Sequence, residues 1–211
     1  MTPQTINAYY NPVRNEIVFP AAILQPPPFN IEADDAVNYG AIGGVIGHEM
    51  GHGFDDQGRH FDATGALRDW WTKADAAECT KRTAMLVEQF NQFEALPGLK
   101  VNGELTLGEN IADLTGLTIA HRAYQLALNG HPGPVLDGLP ADQRFYMGWA
   151  QAWRSKVRDD AMRQQVMSNV HSPDMFRANG PLRNVPEFYA AFGVKEGDKL
   201  FVTPDKRIKI W

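Results

Sequence analysis

The feature that most constrains this chain is the pentapeptide HEMGH at 48–52, which follows the apolar run AIGGVIG at 41–47. In an α-helix, histidines four residues apart share one face, so the imidazoles of His48 and His52 reach one metal ion. Glu49 then lies close enough to act as a base toward a water molecule bound to that metal. Zinc suits imidazole nitrogen and needs no redox chemistry, which makes it the default metal. The alternative is a chance match, expected in roughly one chain in a hundred.

A catalytic zinc takes three protein ligands, so the motif requires a third donor elsewhere in the chain. A third histidine six residues beyond His52, with a glycine three residues beyond it, is excluded because Gly58 and Asp55 occupy those positions. The other option is a glutamate on a second helix, and Glu109 in the run GENIAD fits it. Asp113 would share its helical face and accept the free ring N–H of a ligand histidine.

Glu109 also has an ordinary structural explanation. Thr106-x-x-Glu109 precedes an apolar run and fits a capping box, in which the glutamate only closes the start of a helix. A solvated surface acid is the second explanation. The histidine motif favours the ligand role over both.

Three runs of sequence, in this order, resemble the neprilysin and endothelin-converting-enzyme family of zinc endopeptidases: HEMGHGFDDQGRHFDATGALRDWW, GENIADLTGL and HSPDMFR. The start, NAYYNPVRNEIVFPAAILQPP, resembles the substrate-binding edge of the same family and the segment after it. The likeness extends almost continuously from Asn7 to Trp211. It implies a thermolysin-like (gluzincin) catalytic domain of α+β class, mainly helical, with a small sheet on the N-terminal side.

The resemblance implies one zinc ion held by three protein ligands: His48, His52 and Glu109. It makes Glu49 the general base that removes a proton from the attacking water. Asp113 becomes the carboxylate that orients a ligand histidine.

On the substrate side, the resemblance implies that Asn7 and Ala8 hydrogen-bond the peptide backbone. Arg177 would grip a substrate carbonyl, and His171 would stabilise the oxyanion of the transition state. Trp153 matches a position that lines the specificity pocket. The family usually has QPPFF where this chain has QPPPF, so a proline, Pro28, replaces an aromatic residue of that pocket.

The expected function is therefore that of a zinc-dependent metalloendopeptidase acting on oligopeptides. Members of the family are much longer, with an N-terminal half that roofs the active site. We expect 1–211 to be the C-terminal part of the catalytic domain, with the roof domain absent from it. Whether a separate chain supplies that N-terminal half stays open. Two alternatives stay open: a folded but catalytically silent zinc-binding fragment, and an unstable gene fragment.

Composition agrees with a folded domain, because 211 residues with 44% hydrophobic content can bury one substantial core. A net charge of −5 gives no electrostatic footprint for nucleic acid. No apolar run approaches about 18 residues, so the sequence predicts no membrane segment in this chain. The family resemblance alone favours an extracytoplasmic location, periplasmic or secreted.

Cys79 is the only cysteine, which excludes an internal disulfide, and a buried structural role is predicted for it.

The pattern of apolar and turn-forming residues predicts a hairpin from 7–10 and 16–19. Helices are predicted over 35–54, 72–95, 107–129, 142–157 and 160–168, with a short last helix beginning at 184–187. The glycines before and within the metal motif indicate close helix packing. Three further histidines lack ligand spacing and are predicted at the surface or in loops: His60, His121 and His131. Two tryptophan pairs are predicted mainly in the core: Trp70-Trp71 and Trp149/Trp153.

Overall fold

The computed structural model describes residues 1–211 as a mainly helical fold with two small antiparallel sheets, which confirms the expected class. The eight α-helices are α1 Asp35–Asn38, α2 Gly44–Gly51, α3 Lys73–Phe90, α4 Leu107–Ala127, α5 Ala141–Ala152, α6 Asp159–Ser168, α7 Asp174–Asn179 and α8 Pro186–Phe192. A π-helical stretch, Tyr39–Gly43, joins α1 to α2 without a break. No helix is both long enough and apolar enough to cross a membrane.

The predicted N-terminal hairpin is present as β1 (Tyr9–Asn11) and β2 (Glu16–Val18), with Tyr10 paired to Ile17. Because this sheet has only two strands, the outer edge of β1 has no neighbouring strand.

A second hairpin, β3 (Glu94–Leu96) and β4 (Leu99–Lys100), was not predicted from the sequence. Helix α3 begins as predicted, with Thr72 accepting the N–H of Asp75, but it ends at Phe90 instead of 95. Pro97-Gly98 forms the turn between the strands. Gly98 has φ +76°, a left-handed conformation that favours glycine.

The helix that carries the metal motif ends at Gly51, with His52 as its C-cap, and not at 54. Its glycines allow close packing, as predicted. A Cβ atom on Gly47 would lie 2.7 Å from the carbonyl oxygen of Gly116 and 2.8 Å from its Cα. Gly44 similarly faces the ring of Trp149. Helices α2 and α4 therefore touch backbone to backbone, which brings the two sequence motifs together.

We expect Gly47→Ala to destabilise the fold by roughly 1–3 kcal/mol or more, because the new methyl group meets backbone atoms that cannot rotate away. Gly43→Ala is the matched control in the same helical run, since its nearest neighbour would be 3.5 Å away. Alanine is also favoured over glycine inside a helix by up to about 1 kcal/mol. Chemical denaturation of both variants measures the difference, and equal unfolding midpoints would contradict this packing.

The main core forms around α4, in which every residue from Asn110 to Leu117 is buried. Trp149 is fully buried there, and its indole N–H points to the carbonyl oxygens of Arg177 and Ala178, both at 3.2 Å. Cys79 is buried, as predicted. The prediction for Trp70 is wrong, because it is 46% exposed beside Trp71 in an aromatic surface cluster.

The prediction for His121 is also wrong. It is buried, its Nε2 lies 3.1 Å from Asp142 Oδ1, and its ring stacks on Tyr146. The C-terminal half of α4 has an exposed face, which includes Ile119 and Arg122. His121 lies on the opposite face, where Phe145 and Tyr146 of α5 pack against it.

Other predicted helix ends shift for local reasons. Helix α5 ends at Ala152, five residues earlier than expected, and α8 begins at Pro186 in the favoured first position. Asn184 does not cap α8. Its side chain instead bonds Gln89 and the backbone N–H of Ile208.

Candidate metal centre and substrate cleft

The contact between α2 and α4 brings three donor groups to one point. His48 Nε2 lies 3.0 Å from His52 Nε2 and 3.2 Å from Glu109 Oε2. Glu109 Oε1 lies 3.7 Å from His52 Nε2. Two imidazole nitrogens and one carboxylate are a donor set that fits zinc. Glu109 Oε2 is buried without a hydrogen bond, which agrees with a carboxylate that serves as a ligand.

Glu109 does not act as part of a capping box. Thr106, the N-cap of α4, makes no side-chain capping bond. Its hydroxyl donates to the carbonyl oxygen of Asn102 and accepts from Asn110. The side chain of Glu109 instead faces His48 and His52.

His48 is oriented by Asp113, whose Oδ1 lies 2.8 Å from His48 Nδ1. This contact leaves Nε2 facing the other donors. Burial alone would lower the pKa of His48, but the hydrogen bond to Asp113 and the nearby carboxylate of Glu109 outweigh it and raise the pKa to about 9. Burial would raise the pKa of Asp113, yet the positive charge of Arg177 and its hydrogen bonds hold that pKa well below the usual range.

His52 has its own carboxylate partner, which the sequence reasoning missed. Asp55 Oδ2 lies 2.7 Å from His52 Nδ1. Asp55 Oδ1 accepts the backbone N–H groups of Gln57 and Gly58, at 2.9 and 2.7 Å, which fixes the carboxylate in place. An aspartate three residues after the second histidine, just beyond the helix end, is the sequence signal that could have indicated it.

Glu49 lies beside the two histidines and is buried, with Oε2 making no hydrogen bond. Its pKa is raised, mainly because burial disfavours the charged form, although the neighbouring histidines oppose this effect. A raised pKa makes the carboxylate a better proton acceptor at neutral pH.

Arg177 is held on the far side of Asp113, with Nε and Nη2 donating to its two oxygens at 2.8 and 2.7 Å. Its guanidinium stacks on the ring of Trp153, 3.8 Å from the centroid. Nη2 also lies 3.5 Å from Glu109 Oε2. Nη1 makes no hydrogen bond within the protein, so it is the nitrogen left for a ligand.

His171 lies in the loop between α6 and α7, and its Nε2 is 3.2 Å from Glu109 Oε2. Asn169 Oδ1 accepts the backbone N–H of His171 at 2.8 Å and lies 2.9 Å from its Nδ1. These contacts fix the ring with Nε2 toward the other donors. Burial lowers the pKa of His171, against the opposing effect of Glu109.

These groups line a cleft of about 460 Å³ between the β1 segment and helices α2 and α4. Of the nine residues predicted for the site, only Asp113 lies behind its wall, and the other eight line it: Asn7, Ala8, His48, Glu49, His52, Glu109, His171 and Arg177. Asn7 and Ala8 directly precede β1. Ile23, Pro28, Val45 and Trp153 add an apolar portion to the lining.

The chain is similar to known proteins along nearly its whole length. The sequence model described as peptidase family M13 matches residues 7–208. Human endothelin-converting enzyme 1 is 43% identical over 215 residues, which cover 100% of this chain and 27% of that protein. Neprilysin-1 of Caenorhabditis elegans is 42% identical, covering 98% of this chain and 28% of that protein.

Among solved structures, the zinc metalloprotease Zmp1 of Mycobacterium tuberculosis, in complex with an inhibitor, has a TM-score of 0.97 at 55% identity. The match covers 100% of this chain and 33% of that one. PepO from Lactobacillus rhamnosis has a TM-score of 0.87 at 38% identity, with 98% of this chain and 31% of that one covered. The chain thus spans little more than a quarter of the length of the curated relatives given above.

Proposed function

Because the chain belongs to peptidase family M13, we propose that it carries the catalytic centre of a zinc-dependent metalloendopeptidase that hydrolyses peptide bonds in oligopeptides. The observation that carries the proposal is the convergence of His48, His52 and Glu109 beside Glu49, within one cleft. Names of the relatives support the same chemistry, since the Zmp1 structure is described as a zinc metalloprotease. By the same family membership we propose an extracytoplasmic location.

His48, His52 and Glu109 would hold one zinc ion. Zinc bound there supplies Lewis acidity, which lowers the pKa of a coordinated water to about 7 and polarises a carbonyl group. Glu49 accepts a proton from the attacking water and later delivers it to the leaving amine. Its burial beside the histidines supports this role, because a raised pKa suits a group that must both take and give a proton.

The remaining residues bind the peptide and stabilise the negative charge that develops on its carbonyl oxygen. His171 in its protonated form donates from Nε2 to the oxyanion of the transition state, since Asn169 Oδ1 already accepts from Nδ1. Arg177 donates from Nη1 to a substrate carbonyl. Asn7 and Ala8, beside the free edge of β1, hydrogen-bond an extended peptide backbone. The apolar portion of the cleft, with Trp153, accepts the side chain that follows the scissile bond.

Measuring zinc content together with hydrolysis of a quenched peptide tests the proposal. We expect about one zinc per molecule and metal-dependent cleavage. Zinc without turnover would favour a silent zinc-binding fragment, and the absence of cooperative unfolding would favour an unstable one. From the family resemblance we propose that 1–211 is the C-terminal part of the catalytic domain; the chain covers only 27% of a relative such as endothelin-converting enzyme 1. If the chain is silent, kinetic comparisons belong in a protein with the N-terminal half joined.

Zinc binding by each ligand histidine should depend on the carboxylate that contacts its Nδ1. We expect Asp113→Ala and Asp55→Ala to weaken zinc binding roughly 10–100-fold, as loss of a partner behind a metal ligand typically does. Asp113→Ala should also lower stability, because it leaves the Arg177 guanidinium buried without its ion pair. Chelator competition measures the affinity, and Asp69→Ala on the exposed loop is the control. Unchanged affinity in Asp55→Ala would reject its role.

His171→Ala should lower kcat by about 10²–10³, because the hydrogen bond is made mainly to the oxyanion. KM should change little, since an interaction confined to the transition state does not add to ground-state binding. Arg177→Ala should raise KM as well, because it holds a carbonyl throughout. His131→Ala, at an exposed loop position, is the control. Unchanged kcat in His171→Ala would reduce this histidine to a loop residue.

A further inference from the structure

The segment 171–177 contacts α4 through Glu109 and through two buried hydrogen-bonded side-chain contacts. One is the ion pair between Arg177 and Asp113. The other lies about one turn earlier on α4, where the Ser172 hydroxyl donates to Asn110 Oδ1 at 2.9 Å. Ser172 and Asn110 are 0% and 1% exposed, so water does not compete for this bond.

The orientation of the Asn110 amide is set from its other side. Asn110 Nδ2 donates to the Thr106 hydroxyl at 2.9 Å, and that hydroxyl donates to the carbonyl oxygen of Asn102. The amide oxygen is therefore directed at Ser172, and each group in the row has a partner. A fully satisfied buried row of this kind holds its members in one arrangement.

Each of the two bonded residues is adjacent in sequence to a residue of the candidate site. Asn110 follows Glu109, and Ser172 follows His171, while His171 Nε2 lies 3.2 Å from Glu109 Oε2. The bond thus joins the two backbone segments that carry these facing groups. An apolar pair would fill the same space without the cost of burying polar atoms, but it would not fix how the two segments are oriented relative to each other.

We propose that Ser172 and Asn110 are positioning residues for His171. Their hydrogen bond holds the His171 loop against α4, so that the imidazole stays at the place where it meets the oxyanion. Asn169 has a different role, because it bonds the backbone N–H and the ring of His171 from within the same loop and does not tie that loop to α4. The inference rests on the proposed function, in which His171 donates to the oxyanion.

Ser172→Ala removes the donor with little change in volume. We expect kcat to fall about tenfold, less than the loss expected for His171→Ala, because the imidazole is displaced but not removed. KM should stay within about twofold, and zinc affinity should be unchanged, since no metal-binding side chain is altered. Ser168→Ala is the matched control, because that exposed serine bonds only the carbonyl oxygen of Gln164 within α6.

A double-mutant cycle separates positioning from a general structural effect. In a His171→Ala background, Ser172→Ala should cause no further loss of kcat, because the residue that it positions is gone. An equal loss in both backgrounds, or unchanged kcat in Ser172→Ala alone, would overturn the proposal.

The side-chain ¹⁵N signals of His171 provide a readout independent of turnover, in the zinc-loaded chain itself. We expect Ser172→Ala to shift or broaden these signals, whereas Ser168→Ala should leave them in place. Asn110→Leu should repeat the change, because it removes the acceptor. If His171→Ala leaves kcat unchanged, the oxyanion role fails. In that case only the ¹⁵N signals test the positioning role. His171 signals in Ser172→Ala that are identical to those of the unmodified protein would overturn it.

Discussion

Glu49→Gln is expected to retain zinc and to lose peptide hydrolysis. Glutamine has nearly the same shape but cannot accept a proton, and loss of general-base assistance typically costs about 10²–10⁴ in rate. Zinc should stay bound, because the proposed ligands are His48, His52 and Glu109. Metal analysis and cleavage of a quenched peptide, measured on the same preparation, separate the two effects.

Glu88→Gln is the control for that experiment, because it makes the same chemical change at an exposed position of α3. It should leave both zinc content and turnover unchanged. Substantial hydrolysis by Glu49→Gln would reject the proposed mechanism.

The second large effect is expected for Glu109→Ala, which should lose most of its zinc affinity. The substitution leaves two imidazoles where a catalytic site needs three protein ligands, so the loss should exceed the roughly 10–100-fold caused by removing a partner behind a ligand. His60→Ala serves as the comparison, because His60 has no ligand spacing. Chelator competition measures both variants, and equal zinc retention would reject Glu109 as a ligand.

Much of the candidate site could be predicted because its signals are local. The four-residue spacing of His48 and His52 follows from the helical repeat alone. The run GENIAD gave Glu109 and Asp113, and the family resemblance, which the comparisons confirm, extended the prediction to the segment with His171 and Arg177.

What the sequence did not reveal depends on contacts between distant segments. The stacking of Arg177 on Trp153 and the bond between Ser172 and Asn110 join residues from different helices and loops. Asp55 is close to His52 in sequence, but a carboxylate after a helix end has several ordinary uses, so its role needed the distance.

In the fold, too, features with local sequence signals were predicted and features that depend on distant contacts were not. The first hairpin was predicted from apolar runs on either side of turn-forming residues, and the start of α3 from its capping pattern. The β3–β4 hairpin was missed because it has only short strands, and the predicted helix was extended over its start. The burial of His121 depends on how many neighbours surround α4, which periodicity in one helix does not report.

The backbone contact between Gly47 and Gly116 has a consequence for the energetics of the site. Since it does not depend on long side chains, the relative placement of the two motif-bearing helices is settled when the chain folds. A metal ion that arrives later meets donors whose conformational freedom has already been restricted. Less of its binding free energy is then used to order the protein, which is the benefit of preorganisation.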